Sequence, residues 1–277
     1  MAQNYAQATL DIIDERFALA SKTDIVVNKG IRLDFNGKNS VTIYNVNVVA
    51  ETDYIRAGAN RFGALVELGD GQETFTLSQD KAFTFTVDQG NLEDSMMVTE
   101  ANKAVKRQIR EVSIPTTDKY VLTTLQAYAV ANTQSATATL TAANAYTKLL
   151  AANAVLDDAL VPPEDRVCFL SATNYNLLKL DQNFSKQCDT AYADLKKGIL
   201  GVIDGITLVK VPVSYLPANT GYLLVYNQIA VSPHKFDMIR ILTDVQGIHG
   251  AVAEGRRYYD CFIPTQRATG IFAHMVA

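Results

Sequence analysis

Thr74-Phe75-Thr76-Leu77-Ser78-Gln79-Asp80-Lys81-Ala82-Phe83-Thr84-Phe85-Thr86-Val87-Asp88 is the stretch on which the fold turns. Phe75, Leu77, Phe83, Phe85 and Val87 occupy odd positions, whereas Thr74, Thr76, Thr84 and Thr86 occupy even ones. Successive side chains of a strand point to opposite faces, so this parity predicts one apolar face and one hydroxyl-bearing face. Extended without interruption from Gln72 to Asp88, the strand would reach roughly 50–55 Å at about 3.3 Å per residue. That is longer than a compact domain needs. A strand of that length, preceded by the glycine-marked stretch Gly58, Gly63 and Gly69-Asp70-Gly71, can project as a hairpin and lie across a neighbouring molecule. The alternative is two shorter strands broken near Ser78-Gln79-Asp80.

Downstream, Glu93-Asp94-Ser95 places acidic residues and a capping side chain at the positive end of a helix. Met97, Ala101, Ala104, Val105, Ile109 and Val112 then recur at three- and four-residue steps, with Lys103, Lys106, Arg107 and Arg110 between them. From Ser95 to Ser113 this predicts about 28 Å of helix, interrupted by Pro115. Asp118 is placed to cap a second helix carrying Val121, Leu122, Leu125 and Tyr128. The basic residues suit a phosphate contact or, as the more ordinary use, a solvated or salt-bridged helix face.

Upstream, residues 4–20 read as an amphipathic helix with Leu10, Ile13 and Phe17 on one side and Asp11, Asp14 and Glu15 on the other. Such a helix serves as an arm on a partner surface or docks on its own core. Residues 24–50 are strand-like: Ile25-Val26-Val27, Ile31-Arg32-Leu33-Asp34-Phe35, an Asn36-Gly37 turn, then Val41-Thr42-Ile43-Tyr44. Residues 130–141 form an Ala/Thr/Ser-rich hinge, after which helix and strand alternate. That second region has a helix around Thr141–Asp158, a turn through Pro162-Pro163, strand Val167–Leu170, a short helix Tyr175–Leu180, and strands Ile206–Val213 and Gly221–Tyr226. The end of the chain, from Met238 onward, is strand-rich again. The overall class is α+β.

Composition bounds the function. The 277 residues are 48% hydrophobic and 19% charged, which excludes a disordered or fibrous chain. No apolar run is long enough for a membrane span, and the start Met1-Ala2-Gln3-Asn4-Tyr5 lacks a secretion signal, so the protein is expected to stay where it is made. A net charge of −4 excludes a strongly basic nucleic-acid footprint. Thirteen Tyr, eleven Phe and a low charged fraction suit a surface that packs against copies of itself, although an ordinary α+β domain can have the same composition.

Candidate chemistry is sparse. Cys168, Cys188 and Cys261 are widely spaced and form neither a disulfide framework nor a zinc motif; Cys168, in an apolar run, is expected to be a buried, unreactive thiol. His234, His249 and His274 form no local metal site. No phosphate-cradling glycine motif or nucleophile elbow occurs. Asp157-Asp158 and Glu164-Asp165 read as helix-end and turn residues, and Gly198, Gly201 and Gly205 as points of close backbone packing. No catalytic residue, cofactor or metal is expected.

The order of segments resembles the major capsid (major head) protein family of tailed bacteriophages, whose Hong Kong 97-type fold is shared by encapsulin shells. The resemblance rests on Thr52-Asp53-Tyr54-Ile55-Arg56, Gly63-Ala64-Leu65-Val66-Glu67, the Phe75–Asp88 stretch, and Glu93-Asp94-Ser95 before a long helix. It continues through Val161-Pro162-Pro163-Glu164-Asp165-Arg166-Val167, Gly201-Val202-Ile203-Asp204-Gly205, Tyr258-Tyr259-Asp260-Cys261-Phe262 and Arg267-Ala268-Thr269-Gly270-Ile271. Nearly the whole chain is covered by short, degenerate pieces in a shared order.

The resemblance implies an N-terminal arm (1–35), an extended β-hairpin loop (40–92), a peripheral domain with a long spine helix (36–39, 93–135 and 236–277) and an axial α/β domain (136–235). It implies a structural protein, not an enzyme, assembling into hexamers and pentamers of an icosahedral head that encloses double-stranded DNA without specific binding. Phe75, Leu77, Phe83, Phe85, Val87, Leu10, Ile13 and Phe17 become the expected inter-subunit contacts. The expected partners are other copies of the chain, a separate scaffolding protein and a portal, with a decoration protein as an optional addition. The expected location is the virion, after assembly in the host bacterial cytoplasm. Lys38 and Lys81 lie in or beside the loop, but no partner Asn and Glu is placed for them, so no covalent cross-link is expected. Two alternatives stand beside this reading: an encapsulin-like nanocompartment shell, and a small-molecule enzyme using residues 141–235.

Overall fold

The structure is a computed structural model that describes residues 21–31, 33–36, 39–58, 60–88, 100–181, 199–243, 245–247 and 249–276. The helix expected over 4–20 and the capping stretch Glu93-Asp94-Ser95 lie outside the described residues. The chain divides into two compact units, Gly30–Ser78 and the remainder, each taken here by itself.

In chain order the first strands are β1 (Asp34–Asn36), β2 (Ser40–Val46), β3 (Asp70–Thr76) and β4 (Gln79–Asp88). A helical run follows: α1 (Glu100–Gln108), a π-helical segment Ile109–Ser113, and α2 (Ile114–Ala131). Then come β5 (Ser135–Thr137), α3 (Ala145–Asp158), β6 (Arg166–Ser171), α4 (Ala172–Leu180), β7 (Ile199–Ile203) and β8 (Ile206–Val211). The last elements are β9 (Thr220–Tyr226), β10 (His234–Leu242), β11 (Gly250–Tyr259) and β12 (Ile271–Met275).

The Gly30–Ser78 unit is an antiparallel sheet in the order β1-β2-β3. Strands β1 and β2 pair on either side of the Asn-Gly turn signal, with Asn36 opposite Ser40, and β2 pairs along its length with β3 from Ser40↔Thr76 to Val46↔Asp70. The Phe/Thr stretch is therefore not one strand. β3 ends at Thr76, the Leu77 N–H bonds to the Asn39 carbonyl at 2.7 Å, and β4 joins a different sheet. Of the two readings of this stretch, the structure has the broken one.

In the larger unit, β4 pairs antiparallel with β11, and β11 with β10. One face of this sheet meets the helix: Val105, Ile109, Ile114 and Ala253 are buried together, with Phe85 and Ile239 packed against them. Pro115 does not end the helix as expected. The helical run continues from Glu100 to Ala131, roughly 45 Å. The segment before Pro115 widens to π-helix, and the proline takes an early position of the following stretch, where its missing N–H is tolerated. Side chains take up the backbone carbonyls there. Ser113 accepts from Thr117 Oγ1 at 3.1 Å and Arg257 Nη2 at 3.2 Å, and Val112 from Thr116 Oγ1 at 2.6 Å.

The remaining strands form a six-stranded mixed sheet, β5-β12-β9-β6-β8-β7. Its central strands are buried on both faces, which is why Val167–Leu170 reads as an unbroken apolar run. Val167, Phe169, Leu223, Val225 and Ile271 face Val121, Leu122 and Leu125 of α2. Cys168, Leu170, Leu208, Leu224 and Phe272 face Leu149, Leu156 and Leu178 of α3 and α4. Asp204 and Gly205, both at positive φ, make the two-residue turn between β7 and β8; a side chain at Gly205 would also meet the Pro163 carbonyl at 2.6 Å.

The opening segment differs from expectation. Ile25-Val26-Val27 is not a strand but a 3₁₀ turn, Asp24–Val26, followed by a single bridge from Val27 to Ala230. Buried Val26 joins the α2-facing core.

Candidate functional site

Among the described residues no cluster of reactive groups stands out; the distinctive features are surfaces. Between β2 and β3, residues 47–69 carry apolar side chains into solvent. Val48 is 94%, Phe62 85% and Leu65 101% exposed, and Val49, Tyr54, Ile55, Val66 and Leu68 are at least half exposed. Internal bonds give this segment its shape. The Ile55 N–H donates to Arg61 O at 3.0 Å, the Gly63 N–H to Asn60 O at 2.9 Å, and Thr52 Oγ1 to Phe62 O at 3.1 Å; the Tyr54 and Phe62 rings meet edge to face at 4.9 Å. Eight exposed apolar side chains within 23 consecutive residues suit an interaction surface.

The expected contact residues fare differently. Leu77 is buried, at 3% exposure, and Phe85 packs against Val105, Ile109, Ile114 and Ala253. As a correction to the expectation, both spend their apolar surface inside the chain; Phe85 does so because the odd-numbered face of β4 turns toward the chain's own helix. Phe83 lies over Gly255, with its ring 6.4 Å from that of Phe85 and nearly parallel to it. Phe75, Phe83 and Val87 are half-buried, and the threonines Thr74, Thr76, Thr84 and Thr86 are exposed. Leu10, Ile13 and Phe17 lie outside the described residues. Stretches of the segment 47–69, Thr52–Arg56 and Gly63–Glu67, carry the resemblance and fall in the expected loop, but its apolar side chains are not among the expected contacts because they follow no strand or helix period.

The polar face of the β10-β11-β4 sheet is charge-balanced. Arg256 grips Asp80 with two bonds, at 2.9 and 2.5 Å, and Arg240 pairs with Glu254 at 2.6 Å. The Arg256 hydrogen bond holds the Asp80 carboxyl below the usual carboxylate range.

Asp118 does not cap a helix, as expected, but sits buried within α2. Its carboxylate accepts from Ser21 Oγ at 2.5 Å, the Lys22 N–H at 3.0 Å and Thr23 Oγ1 at 2.8 Å. It fastens the start of the described chain to the core.

In the helix–strand region, Arg166 is fully buried. Its guanidinium donates to the Pro162, Asn153 and Val161 carbonyls, to Asn153 Oδ1, and to Asp157 at 2.7 Å. Asp157, in the last turn of α3, thus serves as the acid partner of Arg166. A cleft of about 520 Å³ opens beside it, bounded by Ala159–Pro162, Asp165, Tyr226–Ile229, Gln266, Arg267, Thr269 and Gly270. Its charged residues are Asp165 and Arg267, and Arg267 donates to the Gln228 carbonyl. Cys168 is buried as expected, with its thiol pushed up by desolvation, and burial raises the Cys261 thiol to about 12. His274 is buried against the Tyr222 ring at 4.8 Å, and burial lowers its pKa, reinforced by Lys148. Among the described residues, no group of His, Cys, Asp and Glu is placed to hold a metal ion, and no helix is long and apolar enough to cross a membrane.

No protein-family model matches the sequence, and no curated protein does. Solved structures match in fold. The head structure of Helicobacter pylori bacteriophage KHP40 is similar with a TM-score of 0.67 at 11% identity, over 93% of this chain and 90% of that one. The capsid structure of the Cyanophage P-SCSP1u reaches 0.65 at 14% identity, over 88% and 85%. A structure from Mycobacterium phage Che8 reaches 0.62 at 17% identity, over 86% and 85%. The chain has the mixed helix-and-sheet fold of phage capsid structures.

Proposed function

We propose that this chain is a major capsid protein of a tailed bacteriophage: a structural protein whose copies assemble as hexamers and pentamers into a head enclosing double-stranded DNA. The observation that carries the reading is the fold, held in common with phage head and capsid structures over about nine-tenths of the chain. The reading accounts for residues 47–69. An apolar segment that costs free energy in water becomes stabilising once a second copy covers it, by about 1.5–3 kcal/mol for each large side chain fully buried. Contacts between different patches on successive copies close into rings, and rings into a shell. A separate scaffolding protein, a portal and a decoration protein are the partners such a shell would use, with assembly in the host cytoplasm and residence in the virion.

The test is to place charge on the exposed segment. Phe62→Asp with Leu65→Asp should leave the chain soluble and folded, because neither side chain is buried, while abolishing particles seen by size-exclusion chromatography and negative-stain microscopy. Intact shells from this variant would refute the role given to the segment. A wild-type chain that stays monomeric under all assembly conditions, with and without scaffold, would refute the shell reading itself.

A further inference from the structure

The basic residues of the long helix form a surface that shell closure alone does not explain. Lys103, Lys106, Arg107 and Arg110 stand at spacings of three, one and three residues, and the eight residues from Lys103 to Arg110 contain no acid. At about 100° per residue these positions fall within an arc of about 100°. Val105 and Ile109, on the other side of the helix, are buried against the β10-β11-β4 sheet. Lys106, Arg107 and Arg110 are exposed. Arg107 pairs with Glu111 at 2.8 Å, while Lys106 and Arg110 have no ion pair among the described residues.

The two outer faces of this helix-on-sheet layer therefore differ in charge. On the sheet face the arginines are consumed: Arg240 by Glu254, Arg256 by Asp80. On the helix face a surplus of cations persists in a chain whose net charge is −4. From Lys103 to Arg110 the stripe runs about 10 Å at 1.5 Å per residue. One strand of duplex DNA carries a phosphate per 3.4 Å of axis, so about three phosphates span the same length.

We propose that this helix face is the surface by which the chain meets the phosphate backbone of double-stranded DNA, so that within the shell it is the helix face, and not the charge-balanced sheet face, that looks toward the nucleic acid. The placement within a shell rests on the capsid reading; the phosphate contact does not. Lys106 and Arg110, with Arg107 beside them, make a weak, salt-labile contact without sequence preference, since phosphates carry no sequence information. Such a surface confines DNA without immobilising it.

The experiment measures binding of the purified full-length chain to a short fluorescent duplex by anisotropy over a salt series. It compares wild type with Lys106→Gln/Arg110→Gln and with Arg256→Gln, and repeats the series with labelled polyglutamate. Each lost phosphate contact removes about 0.9 from the slope of log K against log salt. The double variant should thus lose about 1.8 in slope and bind about 60-fold more weakly at 0.1 M salt, while Arg256→Gln matches wild type. The proposal is overturned by a wild type that does not bind, by an unchanged slope in the double variant, by an equal loss in Arg256→Gln, or by polyglutamate binding that falls with the double variant while duplex binding does not. The last outcome would make the stripe a site for an acidic polypeptide. Negative-stain microscopy of the same variants separates the two readings: particles from the double variant leave the shell intact with its DNA contact removed, whereas failure of every variant and of wild type to assemble counts against the shell alone.

Discussion

A methyl group added at Gly255 collides with the ring of Phe83. The two residues are directly opposed across β11 and β4, and a Cβ on Gly255 would lie 2.3 Å from Phe83 Cε1 and 2.5 Å from Cζ. Gly255→Ala must therefore drive the ring off its seat and disturb the Phe85 ring beside it, an overpacking cost of about 1–3 kcal/mol. Removing the ring first changes the sign. Phe83→Ala alone should cost about 2 kcal/mol, below the 3–5 kcal/mol of a fully buried phenylalanine because this ring is half-buried. In that background the methyl has room, and alanine is better than glycine in a strand interior by about 0.5–1 kcal/mol. The double-mutant cycle should thus return a coupling of about 2–3 kcal/mol, far outside the additive range. Urea unfolding of the unassembled chain measures it, with all four slopes equal. If Gly255→Ala costs the same with and without the Phe83 ring, the ring does not lie on Gly255. That outcome would restore the arrangement in which Phe83 points outward for a second copy to cover.

Two further perturbations test the larger unit. Burial lowers the pKa of His274 from its ordinary 6.5, so below about pH 6.5 the unfolded chain takes up a proton that the folded chain refuses. Stability should fall as pH drops through that window, and His274→Leu should flatten this part of the pH profile of urea unfolding; a profile unchanged by the substitution would refute the assignment. Asp118→Ala leaves Ser21 Oγ, Thr23 Oγ1 and the Lys22 N–H without their acceptor, at a cost of about 1–3 kcal/mol. Native-state hydrogen exchange should show the Lys22 amide speeding up in that variant while the amides of β6 keep their protection.

How much of this was legible follows from which signals the sequence carries. The alternation of Phe and Thr states which face of a strand is apolar, and the structure keeps that alternation through Val87. It could not state that the strand breaks. The interruption at Leu77-Ser78 is two residues long, and an even-numbered interruption leaves the period of two in phase. Only the partners reveal it: β3 is committed to β2, and β4 to β11, a strand some 170 residues further on. Pro115 misled for a related reason. A proline removes one donor, and the local rule is that the helix stops; here the preceding turn widens, and Thr116, Thr117 and the distant Arg257 take up the carbonyls. Asp118 was read as a cap because a carboxylate after a proline commonly is one. Its true partners are Ser21, Lys22 and Thr23, almost a hundred positions away.

The two candidate surfaces were unequally visible, and the difference is one of periodicity. Lysines and arginines at helical spacing, opposite Val105 and Ile109, declare their face from the sequence because helix geometry sorts them. The apolar residues of 47–69 have no such regularity, and hydrophobic residues without a period are ordinarily assigned to a core. What makes them a surface is that they lie beyond the paired length of β2 and β3. From Val46↔Asp70 to Ser40↔Thr76, β2 and β3 pair with each other, and Val41, Thr42 and Ile43 of β2 are buried. The segment beyond closes on itself through Ile55 with Arg61 and Thr52 with Phe62, leaving Val48, Phe62 and Leu65 outside any core the chain provides. An apolar segment left outside the core lacks side-chain cover. Docking onto a second surface would supply that cover, so the contact should depend on side-chain shape and respond to changes at Phe62 and Leu65, the most exposed of these side chains with Val48.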